Sequence, residues 1–503
     1  FFYGRGDGLS HLGLLQNTLN RGHLAIDDLY PAREMIQASL AYFTMITPRF
    51  LELSVPGISP FLGMPFFYLL ARAALGSSRQ ALLAMLIVSA ATFGITSSRF
   101  SPQDMGNLLT VLFIFLYMRF RWQPETNGRV LLVLFSLVIP IIHPFTATII
   151  ILALVAMELM GFIFKDSLKT LHIMSENKPQ ISLNLAIITT IVYLLWTFYH
   201  TYLLGVLGQT AQYLVGKQIS QSLMQEYSIA IEKYQINVFS IGARIYGHTI
   251  YYGILALIGM FFYVRRLPPK TTPDRNSLML IAYAAVPAAI TIIQLLVQLW
   301  RINPGRAATL VELIFPVFGA MALLGIFKNK LKSPLNRRRV MMFCLISLIL
   351  IAPIVNEVLF AIHLTPLRSW PGEQVTRQEY AGLGWFFSKR DNSIGIKEIG
   401  IRHFRFASLF PGAIASGWYL SPELEVKDHF GYDYLLRTGD DYERDSYILT
   451  SEYDWQVQMV LFNRLHRFTP EDFNKIDNDS SVMKIYTASR EMEVRYVKAL
   501  ARY

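Results

Sequence analysis

The constraint that narrows this chain most is a series of long apolar runs. Each is about 17–25 residues, the length an α-helix needs to cross a hydrocarbon core of roughly 30 Å. About ten such runs, the shorter ones near 15 residues, lie over 55–73, 79–97, 104–120, 129–143, 145–164, 183–206, 249–264, 276–299, 307–326 and 341–362. Within lipid every backbone N–H and C=O must be satisfied inside the segment, so runs of this kind in series predict helices. Length alone would suggest roughly two to four soluble domains, but 53% apolar and only 16% charged residues exclude that. The expectation is a polytopic α-helical membrane protein.

Charge then sets the orientation. A net charge of +11 invites a nucleic-acid reading, yet the Lys and Arg residues are scattered through short loops instead of forming one face. The basic loops 119–129, 165–178, 264–275 and 328–339, with the weaker 71–79, all fall on one side if the runs simply alternate. By the positive-inside rule that side is the cytoplasm. Both ends of the chain are then external, in a protein of the plasma membrane. An external start at Phe1-Phe2 with no apolar segment before it predicts an eleventh span, or a cleaved signal, upstream. Cys344, inside an apolar run, supports neither a disulfide framework nor a cysteine metal site.

Around the transmembrane bundle of 55–363, the spans leave external pieces at 1–54, 207–248 and 364–503, with short turns near 97–103 and 300–306. In the first piece Leu9, Leu12, Leu15 and Leu19 keep helical spacing while Asp7, His11 and Thr18 take another face, which predicts a helix lying on the membrane surface. A second helix over 32–47 follows the turn at Tyr30-Pro31. The 207–248 loop is too polar to span and keeps apolar residues at helical intervals, as an interfacial element does. After about 364 charges become frequent, and IGIKEIGIRHF, DSYILTS and SVMKIYT read as strands of a small external α/β domain.

The chemistry-bearing residues cluster in the external pieces. Asp7 and His11 are four apart and share a helical face. A partly desolvated carboxylate beside a proton-accepting neighbour suits a general base for an alcohol, although Asp7 equally suits a helix N-cap and His11 a polar face. Asp27 and Asp28, ahead of Tyr30-Pro31, carry the same two readings. Arg301 and Arg306 flank INPG between two spans, and Arg244 lies near the end of the long loop. Guanidiniums at such positions grip phosphate through a planar fork of donors, or snorkel to lipid headgroups. His143, Glu312 and Glu357 are further ionisable residues within or at the ends of spans, where they face a cavity or a partner. No Walker loop, zinc motif, dinucleotide fingerprint or GxSxG elbow is present.

The stretch GRGDGLSHLGLLQNTLNRG followed by LYPAREMIQASLAYFTMITP resembles the first external loop of the GT-C superfamily of membrane glycosyltransferases, especially archaeal members that use dolichyl-phosphate sugars. SSRFSPQDMG, IIHPFTA, RQEYAGLGWFF and DNDSSVMKIYTA are similar to further stretches of such proteins. The resemblance implies a multi-helix bundle of about ten to eleven spans with an external C-terminal domain. It also implies an inverting transfer of sugar from a polyprenyl (dolichyl) phosphate carrier to a lipid, glycan or protein acceptor of the cell envelope. Asp7 would be the base and His11 the neighbour that orients it or the acceptor; Arg301 and Arg306, assisted by Arg244, would neutralise the departing phosphate. Adjacent acids are common in the family's first loop, whereas here Asp7 stands apart from Asp27-Asp28, so either set fits the base. The WWD-type signature of oligosaccharide transfer to asparagine is absent. The three aspartates offer oxygen ligands for a divalent cation such as Mg or Mn, while arginines serve a phosphate without one. A non-enzymatic alternative is a GT-C-like structural subunit of an envelope complex, or a translocator of lipid-linked glycans.

Overall fold

The computed structural model describes residues 7–24, 28–95, 101–122, 125–163, 181–200, 204–205, 208, 238–265, 272–297, 305–327, 375–401, 403–406, 409–410, 426–461, 466–489 and 491–500. The apolar runs fold as helices: α3 (Pro48–Leu75), α4 (Ser78–Ile95), α5 (Pro102–Trp122), α6 (Thr126–Ile142), α7 (Pro144–Ile163), α8 (Ile181–Tyr199), α9 (Val238–Val264), α10 (Thr272–Val297), α11 (Gly305–Glu312) and α12 (Phe315–Phe327). They follow α1 (Asp7–Arg21) and α2 (Pro31–Thr44). The run at 341–362, Cys344, Glu357 and most of the 207–248 loop lie outside the described residues.

Within α10, Arg275–Gln294 is by itself long and apolar enough to cross a membrane. Six other helices carry apolar stretches of 10–17 residues. Two differences from the expected spans have local causes. The run 307–326 is not one straight helix: α11 and α12 are bent by 43°. Pro316 explains the break, because its ring opposes the carbonyl four residues back, which belongs to Glu312, the last residue of α11. α9 begins at Val238, so Arg244 and His248, expected in a loop, lie on a helix.

The chain divides into two compact units, 26–33 with 56–358, and 1–25 with 34–55 and 359–503. The first is the helical bundle. Its core is built of residues such as Leu70, Ile87, Tyr117, Leu154, Tyr283 and Phe318, all fully buried. Leu134 and Val138 of α6, Leu195 and Phe198 of α8, and Leu257 and Phe261 of α9 are exposed. The buried Arg121 of α5 pairs with the half-buried Glu158 of α7, its second nitrogen at 3.1 Å. An apolar periphery is the arrangement expected of helices surrounded by lipid.

The second unit holds a four-stranded sheet, β1 (Gly395–Glu398), β2 (Ser446–Ser451), β3 (Val482–Ala488) and β4 (Met492–Val497), in the order β1-β2-β4-β3. β1 is parallel to β2, and β4 is antiparallel to both β2 and β3. Helix α13 (Arg377–Lys389) begins at Thr376, whose side chain accepts the Glu379 N–H. It packs Leu383, Phe386 and Phe387 into one core with Tyr447, Leu449, Met492 and Val494. That core also contains Leu9 and Leu12 of α1. The expected surface helix therefore has its apolar stripe covered by protein.

Gly259 of α9 sits against α12, and a Cβ there would stand 1.9 Å from the Phe318 carbonyl oxygen. Backbone cannot yield as a side chain can, so this close approach requires glycine. Gly259→Ala is expected to destabilise the bundle by about 1–3 kcal/mol or more, read as a lower midpoint of thermal unfolding in detergent.

Candidate functional site

Two groups of polar side chains stand out, one in each unit. In the helical bundle, Asp28 accepts the Tyr30 N–H at 3.0 Å, a turn closed by Pro31 at the first position of α2. The turn aims the Tyr30 ring onto His143, with centroids 5.7 Å apart and planes at 26°. His143 occupies the turn between α6 and α7 and is buried. The hydroxyl of Thr146, at 2.8 Å, and the Thr146 N–H, at 3.3 Å, both lie against its Nδ1. In the neutral ring this leaves the proton on Nε2.

Helix α5 closes on the same turn. A Cβ on Gly106 would lie 3.0 Å from the Thr146 hydroxyl oxygen and 3.1 Å from the His143 Cβ. Gln103, one turn earlier on that face, donates to the Arg306 carbonyl at 3.3 Å and to the Thr309 hydroxyl at 3.2 Å. The Arg306 side chain itself is exposed. Among the described residues its guanidinium has no carboxylate partner. Asp104, in the first turn of α5, accepts the Ser101 N–H at 2.9 Å and its hydroxyl at 2.7 Å.

The other unit holds the second group. His11 and Glu34 meet at 2.7 Å between Nδ1 and Oε1, both buried. Gln37, one turn after Glu34 on α2, donates to Glu52 of α3 at 3.3 Å. Ser10 reaches the Arg405 carbonyl at 3.5 Å, in the 3₁₀ turn His403–Phe406 that packs on α1.

The predicted residues are thus distributed. Asp28 and Arg306 are brought to one neighbourhood through Tyr30 and His143; His11 lies in the other unit. Asp27 and Arg301 lie outside the described residues. Asp7 opens α1 and Arg244 sits on α9, with side chains outside the described ones. Glu34 was not singled out from the sequence: as an acid in the first turn of α2 it looks like an ordinary complement to the helix dipole. Among the described residues no three His, Cys, Asp or Glu side chains converge as a metal site.

The fold of the helical bundle, with an exposed apolar periphery and with arginine and histidine at one end, is similar to that of solved proteins. Solved structures give the particular likenesses. The oligosaccharyltransferase of Archaeoglobus fulgidus tethered to an acceptor peptide with an NVT sequon superposes with a TM-score of 0.50 at 14% identity, over 90% of this chain and 65% of that one. The same organism's AglB in complex with an inhibitory peptide and a dolichol-phosphate gives 0.48 at 15%, over 94% and 61%. ArnT from Cupriavidus metallidurans bound to undecaprenyl phosphate gives 0.48 at 10%, over 99% and 94%. This chain spans about three fifths of the AglB chain. No family model and no curated protein matches the sequence.

The Tyr30–His143 stack is testable on its own. A double-mutant cycle of Tyr30→Ala and His143→Ala, followed by denaturant unfolding, is expected to return a coupling of about 0.5–1.5 kcal/mol. Additive effects would mean that the first segment is not held on this turn.

Proposed function

We propose that this chain is an inverting membrane glycosyltransferase that moves a sugar from a polyprenyl-phosphate carrier to an acceptor at the external face of the plasma membrane. The observation that carries the proposal is the stack of Tyr30 on His143 at one end of the helical bundle, with Gly106 of α5 against the His143 turn and Gln103 of α5 bonded to the Arg306 backbone. The N-termini of α5, α7 and α11 converge there, each contributing the partial positive charge of its dipole. Arg306 adds a full charge, against which stand the carboxylate of Asp104 and the C-terminal end of α6 at His143. In a lipid-embedded bundle the anion that fits the exposed Arg306 guanidinium is the phosphate of a polyprenyl carrier.

The chemistry follows from that placement. An acceptor hydroxyl gives its proton to a group of the first segment, Asp7 or the Asp27-Asp28 pair being the acids that the GT-C resemblance assigns. The oxygen attacks the anomeric carbon as the bond to the phosphate breaks, and the electron pair leaves with the phosphate. Arg306, with Arg301 and Arg244, holds the developing charge, a contribution that is commonly among the largest in such reactions. Asp28 spends one carboxylate oxygen on the Tyr30 N–H, and no step here is routed through a metal; an Mg or Mn ion held by the aspartates would add to the charge on the phosphate.

The full chain in lipid nanodiscs, given radiolabelled dolichyl-phosphate mannose and undecaprenyl-phosphate glucose, is expected to consume one of them. Arg306→Ala is expected to raise the KM for that donor or lower kcat, by about 10²–10³ in kcat/KM. Asp7→Asn, or Asp28→Asn with Asp27→Asn, is expected to lower turnover by about 10²–10⁴. Undiminished donor turnover in all of these variants would overturn the proposal.

A further inference from the structure

One motif of the C-terminal domain has no part in the chemistry above. Asn478-Asp479-Ser480 is the single Asn-X-Ser/Thr triplet of the sequence, the pattern on which surface asparagines outside the cytoplasm are glycosylated. Helix α14 (Pro470–Asp477) starts from a capping box between Thr469 and Asp472 and ends with Asn478 as its C-cap. β3 begins at Val482, so the triplet occupies the turn from helix to strand. Its middle residue holds that turn. Asp479 Oδ1 accepts the Ser481 N–H at 2.8 Å and the Ser481 hydroxyl at 2.7 Å. Its Oδ2 accepts the Thr438 N–H at 2.6 Å and the Tyr432 hydroxyl at 2.9 Å. With Asp479 anchored on both oxygens, Asn478 and Ser480 on either side of it are exposed. Asn478 Nδ2 donates to the Asn474 carbonyl at 2.8 Å, which takes one of its two N–H bonds. Asn478 also lines a depression of about 330 Å³ together with Tyr432, Leu436, Asn474, Lys475 and Asp479. Leu436 is 94% exposed there. An aromatic ring and an apolar side chain among amides match the C–H face and the hydroxyl edge of a sugar ring.

Resting on the external placement of the reading above, we propose that Asn478 carries an N-linked glycan whose first sugar lies over this depression. In the step that attaches it, Asn478 Nδ2 bonds to the anomeric carbon of a saccharide linked to a polyprenyl phosphate ester, brought by an asparagine-directed transferase. The carbon–oxygen bond to the phosphate breaks and its electron pair leaves with the phosphate, while the Nδ2 proton passes to a base of that transferase. Ser480 is the residue by which the triplet is read. The glycan covers Leu436 and stands beside β3, an edge strand with Met483 exposed, and a bulky polar group there keeps a second chain from pairing with that edge.

Trypsin releases the triplet in the peptide Ile476–Lys484, IDNDSSVMK. In mass spectra of the full chain purified from its own cells, this peptide is expected to be heavier by one or more sugar residues. Asn478→Gln and Ser480→Ala, which change exposed side chains only, are each expected to abolish the added mass. A wild-type peptide found only at its unmodified mass, or added mass that persists in either variant, overturns the assignment. Labelling of Asn478→Cys in intact cells with a membrane-impermeant maleimide, the wild-type chain with its one Cys344 as blank, separates this failure from that of the external placement. Labelling from outside together with an unmodified wild-type peptide overturns the glycan alone. Labelling only after lysis overturns the external placement, and the glycan with it.

Discussion

Leu9 and Leu12 leave water by entering the core of the C-terminal domain, beside Phe386, Ile401 and Phe406. Much else in that unit depends on this burial. Each fully buried leucine is worth about 1.5–3 kcal/mol, and the pair fixes which way α1 faces. With the stripe turned into protein, Ser10 is set against the Arg405 carbonyl and His11 against Glu34. The unit is therefore assembled from the start and the end of the chain, with α1 as a structural part of the C-terminal core. The ionisable residues of α1 inherit a rigid support that a helix floating on a membrane would lack.

The bundle was largely legible in the sequence, because apolar length is a direct consequence of hydrocarbon thickness. α5, α6, α7 and α10 begin and end within a few residues of the runs 104–120, 129–143, 145–164 and 276–299. The break between α11 and α12 was less so, although Pro316 signals it. Pro140 and Pro287 lie inside α6 and α10 without ending them, so proline alone does not decide whether a span breaks. In the C-terminal domain the runs GIKE, SYILTS and VMKIYTA became β1, β2 and β3, while β4 escaped notice. Its sequence MEVRYV carries Arg495, buried at 2% exposure and bonded to Asp477 and Thr450. A buried arginine breaks the alternation by which strands are recognised.

The candidate site was legible only as types of residue at the ends of spans. Asp28, His143 and Arg306 were each visible as polar residues in apolar surroundings, but their meeting depends on the Asp28–Tyr30 turn and on Gly106 letting α5 approach the His143 turn. Neither leaves a periodic trace. The pairing of His11 with Glu34 spans 23 residues and two helices, and local spacing could connect His11 only to Asp7. Pairwise geometry across elements is the part of a site that a single sequence withholds.

The polar line in the C-terminal unit carries a thermodynamic cost. His11, Glu34, Gln37 and Glu52 are all buried, and Gln37 Oε1 has no partner among the described residues. An unsatisfied buried acceptor costs about 1–3 kcal/mol, and leucine or alanine at these helical positions would hold α1, α2 and α3 together without that penalty. Arg390 Nε, Glu398 Oε1 and Gln458 Oε1 of the same unit are likewise buried without a partner among the described residues, so the cost is spread through the unit and does not single out this line.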